Sequence, residues 1–225
     1  MKITIVSDTH CQHERLGRLS GDVLIHCGDM FRLPRSGPKE LESIDRWFGE
    51  QAFGLILCTS GNHDRALQER LKVSDQPFRN AIFLQDRGYL YRGVTFYGAP
   101  WTPMLRSHAF FMDDPGLIEK WAKIPTGTDV LITHTPPAHV LDVSSRGISL
   151  GCEHLAAVVQ TVAPSLHCFG HVHASRGVHE ANGTRFVNAS SVNSQFEMVH
   201  EPYEIELSSS NGRGVAKVLQ RATGE

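Results

Sequence analysis

The sequence lacks several features that would place the chain in a common class of protein. Its 225 residues include five cysteines, an odd number with no Cys-x-x-Cys pair. This count argues against a disulfide framework and against a thiolate zinc site. The longest apolar runs fall far short of the roughly 20 residues that a membrane-spanning helix needs, so we expect no membrane partner.

The charge balance of the chain and the absence of repeats and linkers also bear on its partners and its domain organisation. Lys and Arg total 22 against 24 Asp and Glu, so nothing resembles the positive surface that coats a nucleic acid, and we expect no such partner. There is no repeat and no linker, which predicts a single domain over residues 1–225. No secretory leader precedes the first predicted strand, and we therefore expect a cytoplasmic protein with reduced thiols.

Histidine, in contrast, is abundant, with 13 residues. Histidine is the commonest metal ligand and titrates near neutral pH, so this excess points to a metal or acid–base site.

The pattern of apolar residues predicts an α/β fold. Early strands alternate with amphipathic helices, whereas later strands come in pairs around turns such as Asn182-Gly183 and Asn211-Gly212. This mixture favours helices outside two packed mixed sheets. The predicted strands are 2–7, 23–27, 55–59, 81–84, 89–91, 94–97, 130–133, 166–169, 177–179, 184–188, 203–207 and 215–219, and the predicted helices are 38–52, 65–72, 115–122 and 152–162.

Five of the predicted strands are followed at once by side chains that bind metals. Because the carboxyl ends of strands in α/β sheets converge, these side chains are expected to meet. Residues i and i+2 of an extended segment share a face, so Asp8 and His10 form one pair and His171 and His173 another. In chain order the residues are Asp8 and His10, then Asp29, then Asn62, His63 and Asp64, then His134, and finally His171 and His173.

Each of these patterns alone is weak. A single histidine after a strand is usually structural, and Asn62-His63-Asp64 by itself fits a capping turn before a helix. Five in succession, each after an apolar strand, predict a metal site.

In this order the motifs resemble the calcineurin-like metallophosphoesterase superfamily over residues 2 to about 190. Within it the chain resembles the small metallophosphoesterase-domain proteins related to class III cyclic nucleotide phosphodiesterases. The stretches that carry this likeness are GDVLIHCGD, FLQDRGYLYRGVTFYGAPWTP, HTPP, GCEHL and FVNAS. The resemblance implies a four-layer α/β/β/α sandwich of two mixed sheets flanked by helices.

The resemblance also implies two divalent metal ions bridged by Asp29. Asp8, His10 and His173 would complete one ion, and Asn62, His134 and His171 the other. Nitrogen and oxygen ligands without thiolate suit Mn²⁺, Fe²⁺ or Fe³⁺, Zn²⁺ or Co²⁺.

The activity implied is that of a phosphodiesterase acting on small nucleotides, cyclic ones included, by attack of a metal-bridging hydroxide. His63 would be the general acid and Asp64 would orient it. Asn62, His63, Trp101 and Arg146 are the candidate substrate contacts, with Trp101 stacking on a base and Arg146 reaching a phosphate. Family likeness further implies a homodimer.

Two alternatives stay open at this stage. One is a broad-specificity phosphomonoesterase, and the other is a non-catalytic scaffold that binds nucleotide or protein with the same fold. A protein Ser/Thr phosphatase is disfavoured, because Met30-Phe31-Arg32 stands where those enzymes continue with Val-Asp-Arg-Gly.

Overall fold

The computed structural model describes residues 1–32, 37–210 and 213–219. Within these residues the strands form two sheets of six. The strands in chain order are β1 (Lys2–Val6), β2 (Ser20–His26), β3 (Ala52–Cys58), β4 (Ile82–Phe83), β5 (Arg87–Tyr91), β6 (Val94–Ala99), β7 (Val130–Thr133), β8 (Leu166–Phe169), β9 (Gly177–Ala181), β10 (Thr184–Asn188), β11 (Tyr203–Ser210) and β12 (Arg213–Val218).

Both sheets are mixed and share one design. The first has the order β12-β11-β1-β2-β3-β4, in which β1 to β4 are parallel, β11 pairs antiparallel with β1, and β12 pairs antiparallel with β11. The second has the order β5-β6-β7-β8-β10-β9, in which β6, β7, β8 and β10 are parallel and the two edge strands are antiparallel. In each sheet the carboxyl ends of the parallel strands therefore lie at the same end of the sheet.

Alternation along the strands builds the core between the sheets. Ile3 and Ile5 of β1 and Ile25 of β2 are fully buried and belong to one cluster with Phe96 and Ile132 of the second sheet. The intervening residues of these strands face the opposite way, toward the helices.

Helices cover the outer face of each sheet. On α1 the buried residues Ile44, Trp47 and Phe48 follow at i, i+3 and i+4, and they pack with Leu24 of the first sheet. Each such side chain contributes roughly 1.5–3 kcal/mol by leaving water. The helices α1 and α2 cover the first sheet, and α3 and α4 the second; they are α1 (Pro38–Glu50), α2 (Arg65–Arg70), α3 (Asp114–Trp121) and α4 (Glu153–Val162). The predicted α/β/β/α sandwich is confirmed.

Local differences from the sequence prediction concern mainly element ends. The first helix, predicted to reach residue 52, ends at Glu50, because Gln51 turns to extended backbone and Ala52 already belongs to β3. The hairpins β5–β6 and β9–β10 form as predicted. The turn predicted at Asn211-Gly212 lies outside the described residues, although β11 and β12 pair on either side of it.

The described residues also show how apolar the helices are and whether the cysteines form disulfides. Among them, no helix is long and apolar enough to cross a lipid bilayer. None of the cysteines in these residues forms a disulfide; Cys11 is exposed and the other four are buried.

Candidate metal centre

The loops that follow the parallel strands of both sheets meet at one edge of the sandwich. The two sheets are joined there, where Ser191 N–H donates to the Ser7 carbonyl at 2.8 Å and Ser7 and Ser190 form an isolated bridge. Loops after β1, β2 and β3 come from the first sheet, and loops after β7 and β8 come from the second. The predicted convergence of strand ends is what creates the site.

The backbone of these loops is unusual, and this corrects one detail of the sequence prediction. Asp8, His10, Asp29 and His171 have φ values of 54°, 43°, 53° and 69°. They are therefore not extended, and their side chains converge because the chain turns sharply, not because residues i and i+2 share a strand face. Non-glycine residues adopt this region rarely, at a cost of order 1 kcal/mol each, and such strain concentrates at functional sites.

Two glycines allow the loops to approach one another. A Cβ added at Gly170 would lie 2.1 Å from Asp8 Oδ2, and one added at Gly61 would lie 2.3 Å from Asp29 Oδ1. Any side chain at either position would push a carboxylate out of place.

One group of ligand atoms contains Asp8, His10 and His173. His173 Nε2 lies 3.4 Å from Asp8 Oδ1 and 3.4 Å from His10 Nε2. These atoms all lie within 4.8 Å of one another, a separation that a single ion can span.

A second group contains Asp29, Asn62, His134 and His171. Asn62 Oδ1 lies 3.1 Å from His134 Nε2 and 2.9 Å from His171 Nδ1, and His134 Nε2 lies 3.4 Å from Asp29 Oδ2. Asp29 Oδ2 is also 4.0 Å from His10 Nε2 of the first group. Asp29 thus lies between the two groups, at the position expected of a bridging ligand.

Backbone carbonyls fix the orientation of three of the histidines. The Nδ1 atoms lie within hydrogen-bond distance of carbonyl oxygens, 2.9 Å from Phe31 for His10, 3.0 Å from Cys27 for His134 and 3.2 Å from Asn193 for His173. Donation from Nδ1 leaves each Nε2 lone pair directed into the cluster, which is the usual arrangement of metal-binding histidines.

The charges of the cluster are buried and coupled. Burial alone would raise the pKa values of Asp8 and Asp29, but hydrogen bonds and charge from His173 and His134 respectively hold both well below their ordinary value. Burial opposes protonation of His134, yet the Asp29 charge raises its pKa to about 9. Burial lowers the pKa of His10 to about 4 and that of His171 to about 3.

This donor set fits divalent cations. Asp8 and Asp29 are almost fully buried, and among the described residues their ion-pair partners are histidines, with no Lys or Arg. Buried carboxylates are costly unless a cation is paired with them, and neutral imidazole and amide donors complete a mixed nitrogen and oxygen site.

His63 lies at the open side of the cluster. Its backbone N–H donates to Asp29 Oδ1 at 2.8 Å, its Nε2 lies 3.9 Å from Asp29 Oδ2, and its side chain is 20 % exposed. Burial lowers the pKa of His63, an effect that the Asp29 charge partly offsets.

The prediction that Asp64 orients His63 is wrong, because the Asp64 carboxylate is hydrogen-bonded to other groups. Its carboxylate accepts backbone N–H bonds from Asp29 at 2.9 Å, Phe31 at 3.0 Å and Gly61 at 2.8 Å, whereas His63 Nδ1 is buried without a hydrogen-bond partner among the described residues. Burial and the Asp29 charge raise the pKa of Asp64 to about 8. Asp64 therefore holds together the two loops that carry Asp29 and Asn62.

Two of the predicted substrate contacts, Trp101 and Arg146, lie outside the cluster, and their surroundings differ. Trp101 is only 8 % exposed, its Nε1 donates to Asp86 Oδ1 at 2.6 Å, and Lys120 Nζ sits 4.3 Å from its ring centre. With its ring packed in this way, Trp101 is not available to stack on a base, and that prediction is wrong. Arg146 lies exposed at the tip of the loop between Val143 and Ser149, so its role stays a prediction.

Sequence reasoning missed the residues that border the cluster from the last loop. Phe196 has its ring centroid 4.8 Å from that of His10 and 5.0 Å from that of His173. Asn193, from the same loop, bonds His173 as described. Nothing in the sequence identified this loop, because it carries no motif and follows His173 by some 20 residues.

Comparison with known proteins agrees with this geometry. The family model for the calcineurin-like phosphoesterase matches residues 1–175. The chain belongs to the calcineurin-like phosphoesterase family. It is therefore a phosphoesterase of the hydrolase class, and the family implies divalent metal ions at the cluster described above.

Similar proteins within the family include animal members. Metallophosphoesterase domain-containing protein 1 of Homo sapiens is 33% identical over 232 residues, which cover 92% of this chain and 71% of that protein. UPF0046 protein C25E10.12 of Caenorhabditis elegans is 31% identical, over 92% of this chain and 81% of that protein.

Solved calcineurin-like structures share the fold at low identity. TT1561 of Thermus thermophilus has a TM-score of 0.57 at 15% identity, covering 83% of this chain and 88% of its own. Phosphopantetheinyl hydrolase PptH of Mycobacterium tuberculosis has a TM-score of 0.58 at 13% identity, covering 87% of this chain and 90% of its own. At these identities the likeness concerns the architecture alone.

Proposed function

We propose that this phosphoesterase is a phosphodiesterase that uses two divalent metal ions and hydrolyses small nucleotides, cyclic ones included. The observation that carries the proposal is the position of Asp29 Oδ2, which lies 3.4 Å from His134 Nε2 in one group of ligand atoms and 4.0 Å from His10 Nε2 in the other. A carboxylate between two complete sets of donors is suited to a pair of ions rather than one.

In this proposal the chain holds the two ions with few negative charges. Asp8, His10 and His173 would hold the first ion with Asp29, and Asn62, His134 and His171 would hold the second with the same Asp29. Divalent ions in such a site supply Lewis acidity toward phosphoryl oxygens and the activation of water at neutral pH. Because Asp8 and Asp29 return only two negative charges, the site keeps a positive field that attracts an anionic phosphate.

His63 has the geometry of the acid in this reaction. Hydrolysis of a diester joins the oxygen of water to phosphorus and breaks the bond to the ester oxygen, which needs a proton to leave as an alcohol. His63 is partly exposed beside Asp29, so its Nε2 reaches the site while the hydrogen bond from its backbone N–H to Asp29 Oδ1 fixes its loop. Proton donation of this kind contributes about 10²–10⁴-fold, and most when the leaving group is an alkoxide.

The preference for diesters rests on this acid and on the likeness to the cyclic nucleotide phosphodiesterases. A phosphomonoesterase is the alternative within the same chemistry. The described residues offer no observation that favours a non-catalytic scaffold, since all seven candidate metal ligands and His63 lie together.

The test compares two chromogenic substrates after metal removal. The purified protein is treated with a chelator, dialysed, and assayed with added Mn²⁺ on bis-p-nitrophenyl phosphate and p-nitrophenyl phosphate. We expect activity to vanish on chelation, to return with Mn²⁺, and to favour the diester in kcat/KM. A strong preference for the monoester would reverse the order of the two hypotheses, and activity that survives chelation would refute metal dependence. The Asp29→Asn variant, purified in parallel, controls for contaminating phosphatase.

A further inference from the structure

The ring of Phe196 covers one side of the candidate metal centre. Its centroid lies 4.8 Å from that of His10, 5.0 Å from that of His173 and 5.9 Å from that of His63. Two of these residues are candidate ligands and the third is the candidate acid. The ring therefore stands directly beside the place where a phosphate would react.

The loop that carries Phe196 is held by hydrogen bonds that do not involve the ring. The Phe196 N–H donates to the Asn193 carbonyl at 2.9 Å, and Gln12 Nε2 donates to the Phe196 carbonyl at 3.0 Å. Asn193 Oδ1 accepts from the N–H groups of Gln195 and Glu197 at 2.9 and 3.0 Å. The loop is thus tied to the segment after His10, and shortening the Phe196 side chain leaves these bonds in place.

The backbone at Phe196, which carries this ring, has a strained conformation. Its φ is 63°, in the left-handed region that bulky residues rarely adopt. Such a conformation costs roughly 1–2 kcal/mol and persists where the surroundings impose it, typically at functional sites.

The ring is half-buried, and a cation lies over it. Besides the three imidazoles, the Arg32 guanidinium carbon lies over the ring at 5.2 Å from its centroid. With three imidazoles and a guanidinium around it, the ring acts by excluding volume.

A second residue also borders His63. His108 has its ring centroid 5.9 Å from that of His63. His63 therefore has ring contacts with both Phe196 and His108, and Phe196 is the one of the two that also contacts His10 and His173.

We infer that Phe196 determines substrate specificity by acting as a wall that limits the size of the ester group on the His10 and His173 side of the site. This inference rests on the proposed phosphodiesterase function. It assigns a substrate class to that function: phosphodiesters with one small or tightly folded ester group, as in a cyclic ester, are hydrolysed with a higher kcat/KM than those with two bulky groups.

The experiment uses two diesters that share one leaving group. Methyl p-nitrophenyl phosphate and bis-p-nitrophenyl phosphate both release p-nitrophenolate, and they differ in the group that stays on phosphorus. We measure kcat/KM for both with the Mn²⁺-loaded full chain and with Phe196→Ala and Phe196→Leu. In Phe196→Ala we expect kcat/KM for the bulky diester, divided by kcat/KM for the small one, to rise about tenfold or more, which is the discrimination typical of pocket contacts. The ratio for Phe196→Leu should lie between those of the wild type and Phe196→Ala.

Tyr91→Ala is the matched control. Tyr91 is also an aromatic residue with an arginine over its ring, Arg92 at 5.0 Å. It pairs with Val94 at the start of β6, at the opposite end of the second sheet from the metal centre. Its replacement should leave the ratio unchanged.

A second readout does not need metal or activity. In the metal-free protein, proton NMR signals of the His10 and His173 rings should shift in Phe196→Ala relative to wild type, because the ring current of Phe196 is lost. Unshifted signals would overturn the inference by showing that the ring does not cover these histidines.

The outcomes separate the inference from the function on which it rests. If the wild type hydrolyses both diesters and the ratio stays within about twofold in Phe196→Ala, the wall is refuted and the phosphodiesterase stands. If the ratio falls, Phe196 attracts the bulky group and the inference is again overturned. If the wild type hydrolyses neither diester, the proposed function itself fails, and the inference falls with it.

Discussion

Replacing Gly61 by alanine should destroy the metal centre while leaving the fold intact. The added Cβ would lie 2.3 Å from Asp29 Oδ1 and 2.6 Å from the Cε1 and Nε2 atoms of His134. Ordinary contacts of a Cβ begin near 3.4 Å. Asp29, His134 or both must therefore move by about 1 Å.

The expected loss of metal affinity follows from this displacement. Ligand distances in metal sites are tolerant to about 0.2 Å, so a shift of about 1 Å breaks the coordination of Asp29 or His134. Loss of a supporting outer contact alone costs about 10–100-fold in affinity, and displacement of a ligand should cost at least the upper value. Crowding of this kind should also cost the metal-free protein about 1–3 kcal/mol in free energy of unfolding.

The assay is calorimetric titration of chelator-treated protein with Mn²⁺, together with urea unfolding of the metal-free form. Gly127→Ala is the matched control, because a Cβ there meets no atom within 4 Å; its unfolding free energy should change by about 0.5 kcal/mol or less and its metal affinity not at all. A folded Gly61→Ala variant that binds Mn²⁺ as tightly as wild type would refute the placement of Asp29 and His134 in one metal site.

Three further changes test separate parts of the account. His63→Ala should keep its metal content and lose about 10²–10⁴-fold in turnover of alkyl diesters, with a smaller loss for p-nitrophenyl esters, which need less protonation. Asp64→Asn leaves at least one of three buried N–H groups without an acceptor, so the metal-free protein should lose about 1–3 kcal/mol in urea unfolding at about pH 9, where the carboxyl is ionised. His167→Gln should make stability less sensitive to acid. Burial lowers the pKa of His167 from 6.5 to about 3, so the unfolded chain binds more protons below pH 6.5 and stability falls as the pH falls; the difference in unfolding free energy between about pH 7 and pH 5 should shrink by about 2 kcal/mol.

Each of these changes has its own control and contrary result. Undiminished turnover of alkyl diesters by metal-loaded His63→Ala would remove this residue from the mechanism. For Asp64, the control is Asp45→Asn, because both N–H groups that Asp45 binds go to one oxygen, which asparagine retains; equal stabilities of the two variants would contradict the role of Asp64 in joining loops. For His167, an acid sensitivity equal to that of wild type would show that its buried ring is not the titrating group, and exposed His179→Gln should have no effect.

Sequence patterns predicted the sheets because strands depend on local chemistry, and the candidate ligands that follow these strands lie close together in the structure. Apolar runs such as 130–133, which is buried on both faces, are typical of strands in parallel sheets. The resemblance to a known family implies that His171 and His173 bind different ions, and this stays a prediction. In the structure His171 lies against Asn62, and His173 lies against Asp8 and His10.

Other features depend on contacts between distant segments, which no local pattern records. Asp64 follows His63 in sequence, yet its carboxylate turns to backbone N–H groups more than 30 residues away as well as to its own loop. Trp101 looks accessible in a turn-rich segment but is enclosed by Lys120 from α3. Phe196 lies at the site in a loop that is tied to Gln12, near the other end of the chain.

The most direct test of the account is the location of bound metal. Crystals grown with Mn²⁺ should give anomalous density for two ions about 3.5–4 Å apart, as in two-metal hydrolases. The account predicts one ion bound by Asp8, His10 and His173, one bound by Asn62, His134 and His171, and Asp29 shared by both. A single ion, or manganese bound elsewhere while these side chains stay free of it, would contradict the claim that the loops of two sheets build a two-metal phosphoesterase site.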